Sequence, residues 1–449
     1  MTDVDAGPVL SGRTPFGLLS AGNGQFWPDT PAGLARLAEA VPETDRRTVR
    51  QLARQVAELA ADPANAERAA RGRAANSLQP GRPLVWLDEV PWHEFAGADL
   101  DLSCQSGLAR EVEEVLRRVI YRWRHFPADV YVEPFFRVGK AVDETGIGLA
   151  VTDDILATDP GNPVVSHHYV DQLPHEAALD KTREPVATAR PDIDAAICAA
   201  VSELLGGELP VELHGHQVYA PTWDDISALR GIENCLIDLL DRPDFTHSIV
   251  ARLSHYTDVR MTQFEAQGLL DFDLANIHST PPWADGLPAA GFSGDVRLQD
   301  VWYRSMAQLF VSASPAMRDE FDLQYARPLM ARCGLVYYGC CEPLDTCMEY
   351  LRTIPNLRKI GATPWANIPS LCEQSGPDYV LSHKPNPAHV AMRFDPAVVE
   401  AEITQVVEAC LEYGCPYEIV LKDISTVGGN PDNLTSWTTL VESVLDRYY

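Results

Sequence analysis

From Asp129 onward the chain keeps one rhythm: short runs rich in β-branched and aromatic residues alternate with longer amphipathic segments. Parallel strands joined by crossover helices demand this alternation, because each strand is covered on both faces and each helix on one. Eight runs fit: VYVEP at 130–134, PVELHGH at 210–216, ANIHST at 275–280, LFVSAS at 309–314, LVYYGCCE at 335–342, LRKIGATP at 357–364, YVLSHKP at 379–385 and YEIVLKDIS at 417–425. Eight runs over 130–424 predict one α/β unit, a (β/α)8 TIM barrel. The gap of about 75 residues between the first two runs is too long for a simple crossover, so 152–209 is predicted to hold an insertion.

Residues 1–80 are predicted to form an N-terminal helical extension, since Val49, Leu52, Ala53, Val56, Leu59 and Ala60 fall at helical spacing. Residues 81–449 then make the barrel. LVWLDEVPW at 84–92 reads as a strand or extended segment closed by a proline, and Val112, Val115, Leu116, Val119 and Trp123 mark a helix ending near His125. Asp395-Pro396 and Gly414 bracket a helix with Val399, Ile403, Val406, Val407 and Cys410 on its buried face.

Lys plus Arg total 36 against 64 Asp plus Glu, a formal charge of −28. A surface of that sign repels phosphate backbones and anionic lipid, so neither nucleic acid nor a membrane is expected as a partner. No apolar run is long enough to span a bilayer, and MTDVDAGPVL carries no secretory signal, so the expected location is the cytoplasm. Ten cysteines are too sparse for a disulfide scaffold.

In a barrel of this kind the active site lies at the carboxyl ends of the strands. Those ends offer Glu133, His214, His278, Cys340, Cys341, Glu342, His383, Lys384, Lys422 and Asp423. Thiolate, imidazole and carboxylate are ligand types of catalytic zinc, which points to Cys341, His278 and Glu342, with His214 a further donor. The same residues also read as buried sulfur and a hydrogen-bonded core histidine, and Lys422-Asp423 as an ion pair closing the barrel. Adjacent strand residues point to opposite sides, so only one of Cys340 and Cys341 is expected to face the centre, and Cys341 is the one assigned. Gly146-Ile147-Gly148 lacks the third glycine of a dinucleotide fingerprint.

The stretches PLVWLDEVPWHEF, VVSHHYVDQL, LVYYGCCEPLD, LRKIGATPWANI, DYVLSHKPNPA and CPYEIVLKDISTV resemble the uroporphyrinogen decarboxylase superfamily, in the branch of the corrinoid-dependent methyltransferases. The resemblance runs from about residue 52 to the end. It implies a methyltransferase-like enzyme that moves a methyl group to or from cobalamin or a corrinoid protein, using a small-molecule methyl donor or acceptor. Glu133, Lys422 and Asp423 are then the catalytic candidates, and His214, His383 and Lys384 the cofactor-binding ones. The family's zinc is held by a His-x-Cys and a further Cys. Here Gly339 stands where the histidine would fall and Ser425 where the second cysteine would, leaving Cys341, with His278 and Glu342 as substitute ligands. The alternatives are a decarboxylase or lyase acting on a small substrate and a non-catalytic barrel that binds a tetrapyrrole or corrinoid protein. The decarboxylase's arginine-rich motif is replaced by LVWLDEVPWHEF, which carries carboxylates instead.

Overall fold

A computed structural model describes residues 37, 39–156, 166–273 and 275–449, together with the backbone of two short strands at 13–14 and 17–18. Seven parallel strands form its central sheet: β1 (Val85–Leu87), β2 (Val218–Tyr219), β3 (Trp302–Ser305), β4 (Leu335–Tyr338), β5 (Leu357–Ala362), β6 (Val380–His383) and β7 (Tyr417–Leu421). Their spatial order is β2-β3-β4-β5-β6-β7-β1. The sheet curls into a half-barrel but is not closed, because among the described strands β2 and β1 remain edges. The last four predicted runs are strands β4 to β7, as expected. Of the first four, the second forms a strand, Val211–His214, but outside this sheet, and the other three form none at their expected place.

The extended segment at 84–92 supplies β1, which pairs with β7 through Ile419 and Val85. Residues 130–134 form no strand, because their backbone is already engaged. Arg68 donates to the Val130 carbonyl at 2.8 Å and the Asn65 Oδ1 accepts from the Val132 amide at 2.8 Å. The strand lies just beyond, at Phe136–Gly139, and pairs in parallel with Val211–His214 in a separate two-stranded sheet. Residues 275–280 are a turn, with His278 in the left-handed region at φ 56. Residues 309–314 lie largely in the 3-10 turn Gln308–Ser312, and the strand precedes it as β3.

The expected helices form. Glu43–Ala60 packs its Val49, Leu52, Ala53 and Val56 against Leu108, Val112 and Leu116 of Gly107–His125 and Ile197 and Val201 of Pro191–Leu205, making a second core beside the sheet. The insertion holds that last helix and an antiparallel pair, Asp153–Leu156 with Ser166–Tyr169. Between β6 and β7, Pro396–Tyr413 starts on an Asp395 side chain that accepts from the Ala397 amide and ends on Gly414 at φ 68. Its Val399, Ile403, Val406 and Val407 are buried, each contributing about 1.5 to 3 kcal/mol. No helix among the described residues is long and apolar enough to cross a membrane.

The inner face of the sheet is charged. Glu418 on β7 accepts from the Lys359 ammonium at 2.6 Å and from the hydroxyls of Ser382 and Thr280. Lys384 donates to the His278 carbonyl at 2.6 Å, Tyr337 to the same carbonyl at 3.1 Å, and Arg304 to the Ile277 carbonyl at 3.3 Å. These bonds stretch the segment 277–280 across the inside of the half-barrel and explain why it cannot join the sheet: its carbonyls are spent on side chains.

Candidate functional site

Three strand ends and the interior segment meet at one cluster. Beyond β4, Gly339 turns the chain at φ 95, and a Cβ there would stand 2.3 Å from the Leu344 Cδ1. Any side chain here would take a strained backbone and displace the Leu344 side chain, which disfavours the histidine of the resembled zinc pattern at this position. The turn also cancels the strand alternation, and the two cysteines that follow bring their sulfurs within 3.7 Å of each other. Cys340 is buried against Tyr219, Ile277 and Met306, while Cys341 is half-buried.

Lys422, just past β7, donates to the Cys341 sulfur at 3.0 Å and pairs with Asp423, whose Oδ2 lies 3.5 Å from the same sulfur. The thiols ionise as a pair. Cys340 is drawn well below the usual thiol range by its hydrogen bond to the other sulfur and by the charges of Lys422, His278 and Arg304. The same hydrogen bond, with burial, pushes Cys341 up, against the pull of Lys422. Burial opposes the charge on Lys422, but Cys340, Asp423 and Cys341 hold it protonated.

Beside the thiols, His278 Nδ1 lies 2.7 Å from Asp88 Oδ2, at the end of β1. The donor atoms of Asp88, Glu89 and His278 all lie within 4.8 Å of one another, so two oxygens and a nitrogen could hold a divalent ion. Burial raises the Glu89 carboxyl, with Asp88 and Asp423 adding to the effect. Asp88 and Glu89 were missing from the strand-end candidates because 84–92 was placed outside the barrel; two acids closing an apolar run were the available signal.

The other candidates sit elsewhere or face inward. Glu342 is fully buried and accepts from the amides of Cys340 at 2.9 Å and Ala307 at 3.1 Å and from Arg318 at 3.4 Å. It clamps the turn after β4 and is not turned toward a metal. Glu133 pairs with Arg137, which also reaches Asp271 at 3.3 Å; His214 bonds to that aspartate at 2.7 Å and stacks on Phe135. These residues make a second cluster, on the two-stranded sheet. His383 is buried, and burial with the Lys384 charge pushes its imidazole down to about 3, so it stays neutral. Lys384 is pushed down to about 8 by burial, against the pull of Glu418. His383 and Lys384, enclosed in the sheet, offer a corrin ring no contact.

No family model and no curated protein matches the chain. Among solved structures, a methyltransferase from Methanosarcina mazei is similar at 10% identity with a TM-score of 0.45, over 85% of this chain and 99% of that one.

Proposed function

We propose that the chain is a methyltransferase-like enzyme that moves a methyl group to or from cobalamin or a corrinoid protein, with Cys340, Cys341, Lys422 and Asp423 at its reacting centre and a small molecule as the other methyl donor or acceptor. The observation that carries the reading is the ammonium of Lys422 at 3.0 Å from the half-buried Cys341 sulfur, past the carboxyl end of a parallel strand. A thiolate held by a fixed cation is the sulfur nucleophile that methyl transfer uses. The sequence resemblance supplies the corrinoid, whose cobalt carries the methyl group when bound.

The zinc of the resembled family does not fit: Gly339 stands in place of its histidine on a crowded left-handed turn, Glu342 is engaged, and Ser425 replaces the last cysteine. The reading therefore takes no step through zinc. The chain's own part is to keep a sulfur charged through Lys422 and to pass its proton to Asp423, which accepts from Cys341. A reducing cytoplasm suits ten free cysteines.

The test mixes purified protein with methylcobalamin and a small thiol acceptor and follows the corrinoid spectrum. Demethylation that disappears in Cys341→Ser is expected. A wild-type protein that leaves methylcobalamin unchanged, with every acceptor tried and with added metal, removes the reading.

A further inference from the structure

We propose that Cys340 and Cys341 form a dithiol that reduces small-molecule disulfides, with Cys341 as the attacking sulfur and Cys340 as the resolving one. The activity needs no corrinoid and stands whether or not the methyl-transfer reading holds. Three observations carry it: the 3.7 Å separation of the sulfurs, their unequal exposure, and the Lys422 ammonium at 3.0 Å from the outer one. An attacking sulfur must be reachable from solvent and lie beside a cation that can carry its charge, and Cys341 is half-buried with the Lys422 ammonium at 3.0 Å. A resolving sulfur must be near and hidden from the reagent; Cys340 is 2% exposed behind it.

Proximity alone is not the criterion. Cys372 and Cys410 bring their sulfurs to 3.8 Å, but both are buried, so no reagent can reach them.

The chemistry balances without another reactant. The Cys341 thiolate attacks one sulfur of the disulfide, forming a mixed disulfide and expelling the first thiolate. Cys340 then attacks the Cys341 sulfur, closing the Cys340–Cys341 bond and expelling the second. Two electrons pass to the substrate, and the two thiol protons leave with the released thiols. Adjacent Cα atoms are about 3.8 Å apart, below the usual span of bonded cysteines, so the closed ring is strained and an external thiol reopens it.

The experiment uses dithiodipyridine as the probe on a Cys198→Ser background, which removes the other half-exposed cysteine. The expected result is rapid release of two thiopyridone equivalents, with the chain losing two hydrogens and keeping no adduct. In Cys340→Ser, one equivalent is released and a pyridylthio adduct stays on Cys341; in Cys341→Ser the rapid phase vanishes. Lys422→Met keeps both thiols and slows the rapid phase at neutral pH, which guards against misfolding of the cysteine variants. A parent protein that retains the adduct, or shows no rapid release, overturns the proposal.

Discussion

The Nδ1 of His278 lies 2.7 Å from the Oδ2 of Asp88, and this bond ties the open edge of the half-barrel to the segment that crosses its interior. His278 holds a left-handed backbone, φ 56, which a non-glycine residue keeps only where its surroundings enforce it. Asp88→Asn is expected to cost about 1.5 to 3 kcal/mol in denaturant unfolding, the range of a bond to a charged group. Glu89→Gln, outside that bond, is expected to cost less; equal losses would show that the Asp88 bond is not what holds the segment.

Lys422→Met removes the cation beside Cys341. A thiol reacts as thiolate, above its pKa, so the variant needs a higher pH to reach the same alkylation rate. At neutral pH the iodoacetamide rate is expected to fall about tenfold for each unit of upward shift. Unchanged pH profiles for wild type and variant would remove Lys422 from the thiol's environment.

Gly339→Ala places a Cβ 2.3 Å from a fully buried leucine on a left-handed backbone. A loss of roughly 2 to 4 kcal/mol is expected, combining backbone strain with overpacking. Calorimetry showing an unchanged melting temperature would contradict the tight turn described after β4.

Glu342→Gln separates a clamp from a ligand. Losing the carboxylate removes the charge paired with the buried Arg318, which keeps only its bonds to the Ala307 carbonyl and the Tyr338 hydroxyl, and breaking a buried pair costs up to about 3 to 5 kcal/mol. Unfolding should register that loss, while the protein's content of bound metal stays as in the wild type. A selective loss of metal with normal stability would make Glu342 a ligand after all.

Lys384 gives the pH dependence. In the folded chain its ammonium is pushed down to about 8 by burial, and in the unfolded chain it titrates near 10.4. Between these values the unfolded state binds the extra proton, so this group's contribution to stability rises with pH across that window, by roughly 3 kcal/mol in all. Below pH 8 the penalty for burying the charge is fully present. The difference in stability between wild type and Lys384→Met, followed from pH 7 to 10.5, should change in that direction; a flat difference would place Lys384 in a wetter setting.

Of the runs that became β4 to β7, LVYY is apolar throughout, and the other three stayed legible by their remaining apolar residues although Lys359, Ser382 and Glu418 interrupt them. β2, with two residues, is too short to carry any period, and β3 hides behind Arg304, a charge that reads as surface but is buried against Tyr337. Val130 and Val132 have strand composition, yet side chains of the distant helix Pro63–Asn76 claim their backbone, a tertiary effect invisible to local pattern. In the site, Cys341, His278, Lys422 and Asp423 were within reach of strand-end reasoning. Asp88 and Glu89 depended on knowing that 84–92 enters the sheet. Glu342 looked like a donor because nothing in sequence tells which way a carboxylate turns after a bent glycine.

The interior segment 277–280 is held by side chains from β3, β4, β5 and β7 and by Lys384 just past β6, the residues that also balance the buried charge of the core. Barrel enzymes ordinarily acquire new chemistry by exchanging loops while the framework stays as it is. In this chain a loop that presents His278 cannot be replaced without leaving Lys359, Lys384 and Glu418 short of partners. Scaffold and candidate site are therefore tied to each other, and positions free to vary should be sought first at Glu89 and Cys341, which lie outside that charge network.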